Sequence, residues 1–210
     1  MPRLSGRDVE RNKANIEKAA LRVFIRRGYH GTSMRDIAKV SEVSLGNIYN
    51  YYPNKEALFQ RIVERYETKM EPLRAKALEA IDEGFTDAGL KRLAAGIQTI
   101  VYENPDYWRL MYIDVVEFGN RHFAGSFREL ASTIKERLGD RLIDATKAGE
   151  WNAIDPALAF TAIYLQFFTY FLIEKLFGGR QHLGVPDATA VQQLISMMTQ
   201  GIWRKPPGPM

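Results

Sequence analysis

The sequence contains no cysteine. Disulfide frameworks, thiolate nucleophiles and cysteine-ligated zinc are therefore excluded together. Histidine is nearly as scarce: His30, His122 and His182 stand far apart, and no two have the spacing by which one helix or turn presents a pair of metal ligands. There is no nucleophile elbow, no phosphate-cradling glycine loop and no HExxH, so no catalytic residue, cofactor or metal is called for. Asp114 and Glu117 lie within one turn of each other, but Arg121 follows Glu117 by four residues, and an ordinary helical ion pair between those two is the expected explanation. Strand-like alternation of useful length is missing as well, and so is any internal repeat.

Long apolar runs are few. The uncharged stretch Ala157–Ile173 has 17 residues, short of the about 20 that a membrane span requires, and Thr161, Gln166 and Thr169 interrupt it. The opening MPRLSGRDVERNK is basic with no apolar segment behind it, unlike a signal peptide. A cytoplasmic chain without a membrane partner is the expectation. With 46% hydrophobic residues in 210, it has ample material for one large or two modest packed domains.

What is present is helical pattern. From Asn12 to Arg27 the apolar positions Ile16, Ala20, Val23 and Phe24 recur at helical spacing, and Gly28 supplies a natural helix end. Thr32 or Ser33 can cap a second helix whose small apolar face is Met34, Ile37 and Ala38. Ser44 can cap a third, running to Tyr52 with Ile48 and Tyr52 on one side and Leu45, Asn47 and Asn50 elsewhere. Pro53-Asn54 then marks a turn, and Asn54 can cap a fourth helix with Leu58, Phe59 and Ile62 on its buried side. Two helices of about eight residues do not persist alone and must be propped against something larger. A short propped helix with a face to spare is what a helix-turn-helix offers to the major groove.

Charge agrees with this placement. Residues 1–60 carry 11 Lys and Arg against 6 Asp and Glu, whereas the remainder carries 18 against 19. A basic module joined to a neutral body is the electrostatic signature of phosphate binding. Arg3, Arg7 and Arg11 form a basic N-terminal arm, which either lies along a helix face or trails loosely.

Over residues 12–62 the chain resembles the tetracycline-repressor (TetR) family of transcriptional regulators, through the lead-in GYHGTS at Gly28–Ser33 and the stretch TSMRDIAKVSEVSLGNIYNYYPNKEALF. The turn between the helices departs from the family's frequent Ala-Gly-Val and reads Ser41-Glu42-Val43. Glu42 in the left-handed conformation would be strained by about 1 kcal/mol. The resemblance implies an all-α protein of about nine helices that binds a palindromic DNA operator as a homodimer, acts as a repressor and answers to a small-molecule effector.

Carried onto matching positions, it gives groove-facing roles to Ser44, Leu45, Gly46, Asn47 and Asn50. Asn47 and Asn50 suit adenine edges, Leu45 a thymine methyl, and Gly46 a close backbone approach. Thr32, Ser33, Tyr49, Tyr51 and Lys55 suit phosphate oxygens, and Arg35 suits either a phosphate or a guanine. The expected partition is a three-helix DNA-binding domain at 1–54, a helical ligand-sensing and dimerisation domain at 55–204, and a disordered tail at 205–210.

Beyond Pro72 the sequence is helical between breaks at Gly84, Asn104-Pro105, Gly119, Gly149–Pro156, Gly178-Gly179 and Gly184–Pro186. One helix carries the stripe Leu90, Leu93, Ala94, Ile97, Ile100 and Val101; the next, Tyr107–Phe118, is aromatic on several sides and should be buried on several. A helix apolar all round near 156–177 needs cover on every face, most simply from a second copy of the chain. The expected effector is apolar or aromatic, with Tyr107, Trp108, Met111, Tyr112, Tyr164, Phe167, Phe168 and Phe171 as pocket residues. The alternatives are a helical ligand-binding or dimerising protein without DNA binding and, behind it, an enzyme.

Overall fold

The computed structural model describes residues 6–79, 86–147, 156–178 and 184–202; the expected tail at 205–210 lies outside them. The described residues form nine α-helices and no strand. The first four are α1 (Gly6–Arg27), α2 (Met34–Ser41), α3 (Leu45–Tyr51) and α4 (Lys55–Glu79); α5 (Asp87–Glu103), α6 (Pro105–Phe118), α7 (Ala124–Lys147), α8 (Pro156–Leu176) and α9 (Asp187–Ile202) follow. Helix α1 starts well before Asn12, so Arg7 and Arg11 of the expected arm are helical, and Arg11 pairs with Asp8 at 3.0 Å.

Local chemistry accounts for the boundaries. Gly28 takes a left-handed φ of 72° just past α1, Ser33 and Ser44 cap α2 and α3, the Asn54 side chain accepts from Ala57 N at 2.8 Å to cap α4, and Thr86 caps α5. Each cap satisfies an amide that the first helical turn leaves without a partner.

Two compact units result, and they divide the chain elsewhere than at residue 54. The first takes 1–69 and 106–125, the second 70–105 and 126–210. Helix α4 therefore passes from one unit into the other, and α6 from Asp106 onward belongs with the N-terminal helices.

In the first unit Ile16, Phe24, Ile37, Ile48, Leu58 and Phe59 are fully buried. Phe24, Tyr29, Phe59, Phe118 and His122 form one aromatic cluster with ring centroids 4.3 to 5.7 Å apart, a spacing at which edge and offset contacts add to burial. Helix α6, expected to be buried on several sides, is buried on one and open on the other. Tyr107, Trp108, Leu110 and Asp114 face inward, whereas Tyr112, Val115 and Val116 are exposed.

In the second unit the whole expected stripe of α5 is buried. It packs chiefly on α8, with α9 against both. Burial of Phe160, Ile163, Phe167 and Phe171 leaves α8 an open apolar face of Leu158, Leu165, Ile173 and Phe177, the first 65% and the last 60% exposed. No helix among the described residues is long and apolar enough to cross a membrane.

Gly96 of α5 lies directly against Ala77 of α4. A Cβ there would lie 2.8 Å from Ala77 Cβ and 3.0 Å from Ala77 Cα. Alanine is the better helix former by about 1 kcal/mol, yet overpacking a fixed contact costs about 1–3 kcal/mol. Gly96→Ala is accordingly expected to lower stability to urea by about 1 kcal/mol net, and an equal or higher stability would show that the two helices separate freely.

Candidate nucleic-acid interface

The short helices α2 and α3 are fixed at their ends and from behind. At the start of α2 the Ser33 hydroxyl accepts from Asp36 N at 3.2 Å while Asp36 Oδ2 accepts from Ser33 N at 2.9 Å, a reciprocal capping box. The Asp36 carboxylate also accepts from the Ser33 hydroxyl and from Arg27 at 3.0 Å. These contacts, the Ser33 hydroxyl first, hold its pKa below the ordinary carboxylate value. Between the helices Glu42 adopts φ 58° and ψ 21°, the left-handed turn that glycine would take without strain. Its neighbour Ser41 donates to Ala38 O and accepts from Val43 N.

Helix α3 opens with the Ser44 hydroxyl accepting from Asn47 N at 3.3 Å. It buries only Ile48 along its length. Just past its end Tyr52 donates to Glu17 of α1 at 2.7 Å, and Arg65 of α4 holds the second carboxylate oxygen of Glu17 at 2.7 Å. Burial first, and the Glu17 carboxylate second, push the Tyr52 hydroxyl well above its ordinary pKa, so it stays a donor. One buried carboxylate thus joins three helices.

The turn at residues 28–32 is held from a greater distance in sequence. Glu117 of α6 accepts from Tyr29 N at 2.9 Å and from His30 N at 2.6 Å. Gly28 makes room for it, since a Cβ there would meet Glu117 Oε1 at 2.5 Å. Glu117 is therefore not the partner of Arg121, as the four-residue spacing suggested; Arg121 reaches Glu56 at 3.0 Å instead. Asp114, one turn earlier, is fully buried: it accepts from His122 N at 3.0 Å and Phe123 N at 3.2 Å and meets His122 Nδ1 at 2.6 Å. These carboxylates fix the end of α6 and, through it, the turn before α2.

Most of the residues expected to meet DNA lie together. Thr32, Ser33, Arg35, Leu45, Tyr49 and Lys55 line one open cleft of about 720 Å³ between the start of α2, α3 and the start of α4. Ser44, Gly46 and Asn50 are exposed and Asn47 half-buried on α3, and nothing lies within 4 Å of where a Gly46 Cβ would be. Packing does not require a glycine at 46. Tyr51 faces another cleft, with Lys13, Arg61 and Arg65.

Three of the expected phosphate contacts are engaged internally, the first being the Ser33 hydroxyl in its capping box with Asp36. Thr32 is buried, and its hydroxyl donates to Gly28 O at 2.7 Å. The Lys55 ammonium donates to Tyr29 O at 2.7 Å and Thr32 O at 2.6 Å and lies 4.1 Å above the Tyr29 ring. Burial lowers its pKa, with Glu117 opposing. Sequence alone offers no sign of this, because both carbonyls belong to a turn more than twenty residues upstream. Arg35, by contrast, is exposed and in no ion pair among the described residues.

The expected pocket residues divide between the units. Tyr107 and Trp108 are buried in the first, where the Tyr107 hydroxyl donates to Glu67 at 2.6 Å and its ring meets Phe123 edge-on; Met111 is half-buried and Tyr112 exposed on the same helix. In the second unit Tyr164, Phe167, Phe168 and Phe171 are buried, and burial raises the Tyr164 hydroxyl to about 12.

Glu117→Ala removes a charged acceptor from two amides, each such bond contributing about 1.5–3 kcal/mol. A loss of about 2–4 kcal/mol in urea unfolding is expected, with faster amide exchange at Tyr29 and His30. Unchanged exchange at both would mean that the carboxylate does not organise the turn.

Comparison with known proteins accords with this arrangement. Residues 16–62 match the family described as bacterial regulatory proteins, tetR family. The transcriptional regulator UidR of Escherichia coli is 26% identical over 145 residues, which is 68% of this chain and 70% of UidR. The regulator YuxN of Bacillus subtilis is 42% identical over 60 residues, 29% of this chain and 20% of YuxN, so the chain spans only a fifth of that relative. Among solved structures, a TetR-family regulator from Mesorhizobium loti superposes with a TM-score of 0.64 at 20% identity, covering 93% of this chain and 98% of its own. Over its helix-turn-helix the chain is thus similar to the tetR family of bacterial regulatory proteins, and its fold is shared along most of its length with a solved structure of that description.

Proposed function

We propose that this protein is a repressor that binds a palindromic DNA operator as a homodimer in the cytoplasm and is controlled by a small apolar or aromatic effector in its helical C-terminal part. The observation that carries the DNA reading is the division of α3: Ile48 alone is buried, while Gly46, Asn47, Tyr49 and Asn50 are exposed or half-buried on a helix held at both ends. Such a helix has no structural use for that face. Asn47 and Asn50 can each pair bidentately with adenine, and Gly46 admits the groove wall. Arg35 and Tyr49 supply phosphate contacts around it, Tyr51 does so from the neighbouring cleft, and Lys55 adds its charge while anchoring the turn.

Dimerisation rests on α8 and α9. The open face of α8 and Met197 of α9, 65% exposed, place large apolar groups in water on neighbouring helices, and apolar surface of that kind is covered by association. A two-fold dimer reads two half-sites about 34–36 Å apart, or a multiple of that distance. An effector that rotates the reading units by a small angle therefore breaks simultaneous contact, with a coupling of about 1–3 kcal/mol. By reciprocity the operator weakens the effector by the same factor.

Log affinity for duplex DNA should fall linearly with log salt, by about 0.9 per phosphate neutralised. Asn47→Ala and Asn50→Ala should each lose about 1–3 kcal/mol of discrimination at particular bases, whereas Arg35→Ala should weaken all sequences alike if it holds a phosphate. Base preferences untouched by both asparagine substitutions would overturn the assignment of α3. Sedimentation should give about twice the 24.0 kDa of the chain, and Ala162→Glu, on the exposed side of α8, should shift it to monomer. A stable wild-type monomer that still holds a full palindrome tightly would contradict the dimer.

A further inference from the structure

Glu174 in the last turn of α8 is 6% exposed, and neither of its carboxylate oxygens, both sealed from water, has a hydrogen-bond partner among the described residues. Unpaired buried carboxylates are rare because an ion loses its hydration without compensation. The position compounds the difficulty, since the carbonyl end of a helix repels an anion. The adjacent Lys175 does not offset it by direct pairing: its ammonium lies over the Tyr102 ring, 5.3 Å from the centroid.

The surroundings are aromatic and acidic. Glu174 continues the buried stripe Phe160, Phe167 and Phe171 along α8. The Phe171 ring is met edge-on by Tyr102 of α5 at 5.7 Å and by Tyr170 at 5.2 Å. Asp187, which opens α9, accepts from Gln98 at 2.7 Å, Tyr102 at 3.0 Å and Tyr170 at 3.2 Å. Both carboxylates act on Tyr170, whose hydroxyl is raised by burial first and then by Asp187 and Glu174. Negative charge beside π faces is the chemistry that holds organic ammonium ions. An inorganic cation would ask instead for a shell of oxygen ligands, which Glu174 alone does not provide.

We propose that Glu174 is the anionic anchor of a binding site for an organic cation, an ammonium group on an apolar body, where the last turns of α5 and α8 meet the start of α9. Tyr102, Tyr170 and Phe171 flank the cation, and Asp187 fixes the two tyrosine hydroxyls. This narrows the effector class and rests on the reading of effector control only for its consequence at DNA; the site itself is tested without DNA.

Choline and its neutral carbon isostere 3,3-dimethyl-1-butanol, with benzyltrimethylammonium as a larger cation, are titrated calorimetrically into the full chain and into Glu174→Gln. Saturable binding of at least one cation is expected, at least tenfold weaker in Glu174→Gln, with the isostere at least tenfold weaker than choline where choline binds. Circular dichroism monitors folding of the variant, and if it does not fold the cation-against-isostere comparison on the wild type decides. Failure of the wild type to bind either cation, equal binding of choline and isostere, or undiminished cation binding by a folded Glu174→Gln overturns the site. A chain that holds a palindrome but ignores both cations loses this proposal and keeps the regulator reading; one that binds a cation but no DNA does the reverse.

Discussion

A helix of seven residues has almost no stability of its own in water, and the first unit follows from the need to hold α3 from behind while leaving its outer face bare. Ile48 is the only side chain that α3 buries, so packing cannot fix its position. Polar clips do so instead. Glu17 ties Tyr52, at the end of α3, to α1 and α4; Ser44 ties its start. The turn that leads into α2 is gripped from two sides, its amides by Glu117 and its carbonyls by Lys55. Donors and acceptors of one five-residue turn are thus satisfied by opposite charges from α6 and α4. Breaking either side leaves the other uncompensated, which makes the turn a cooperative joint.

The joint links chemistry with connectivity. Helix α6 lies late in the chain, yet residues 106–125 belong with the N-terminal helices, and α4 passes from the first unit into the second at residues 69 and 70. The elements that grip the turn are therefore the ones whose chain continues into the second unit. A displacement of α6 or α4 would be felt first at Tyr29 and His30, one residue pair removed from the capping box of α2. A charge-assisted bond is lost steeply as its geometry departs from linear, so the turn is sensitive to small displacements of either helix.

Local chemistry in this protein is legible in the sequence, and distant polar chemistry is not. Ser33, Ser44, Asn54 and Gly28 act within a few residues of themselves, so their roles as caps and helix end follow from position. The stripes of α1 and α5 are legible for the same reason: periodicity reports a buried face. Glu117 is different. Its partners lie 87 and 88 residues upstream, and the local pairing with Arg121 that spacing favours is not made. Lys55 reads as a surface cation until the carbonyls of Tyr29 and Thr32 are placed around it. Aromatic density in α6 suggested burial on several sides, but Tyr112, Val115 and Val116 remain open because only one side of α6 packs within the first unit.

The claim on which the account turns is that α3, so held, reads duplex DNA as half of a symmetric pair. Selection of sequences bound by the full chain from a random duplex pool tests it most directly. An inverted repeat should be enriched, with half-sites centred about one helical turn or a multiple of it apart, and A·T pairs at the positions facing Asn47 and Asn50. Enrichment of no sequence, or of a lone half-site without its inverted copy, would contradict it.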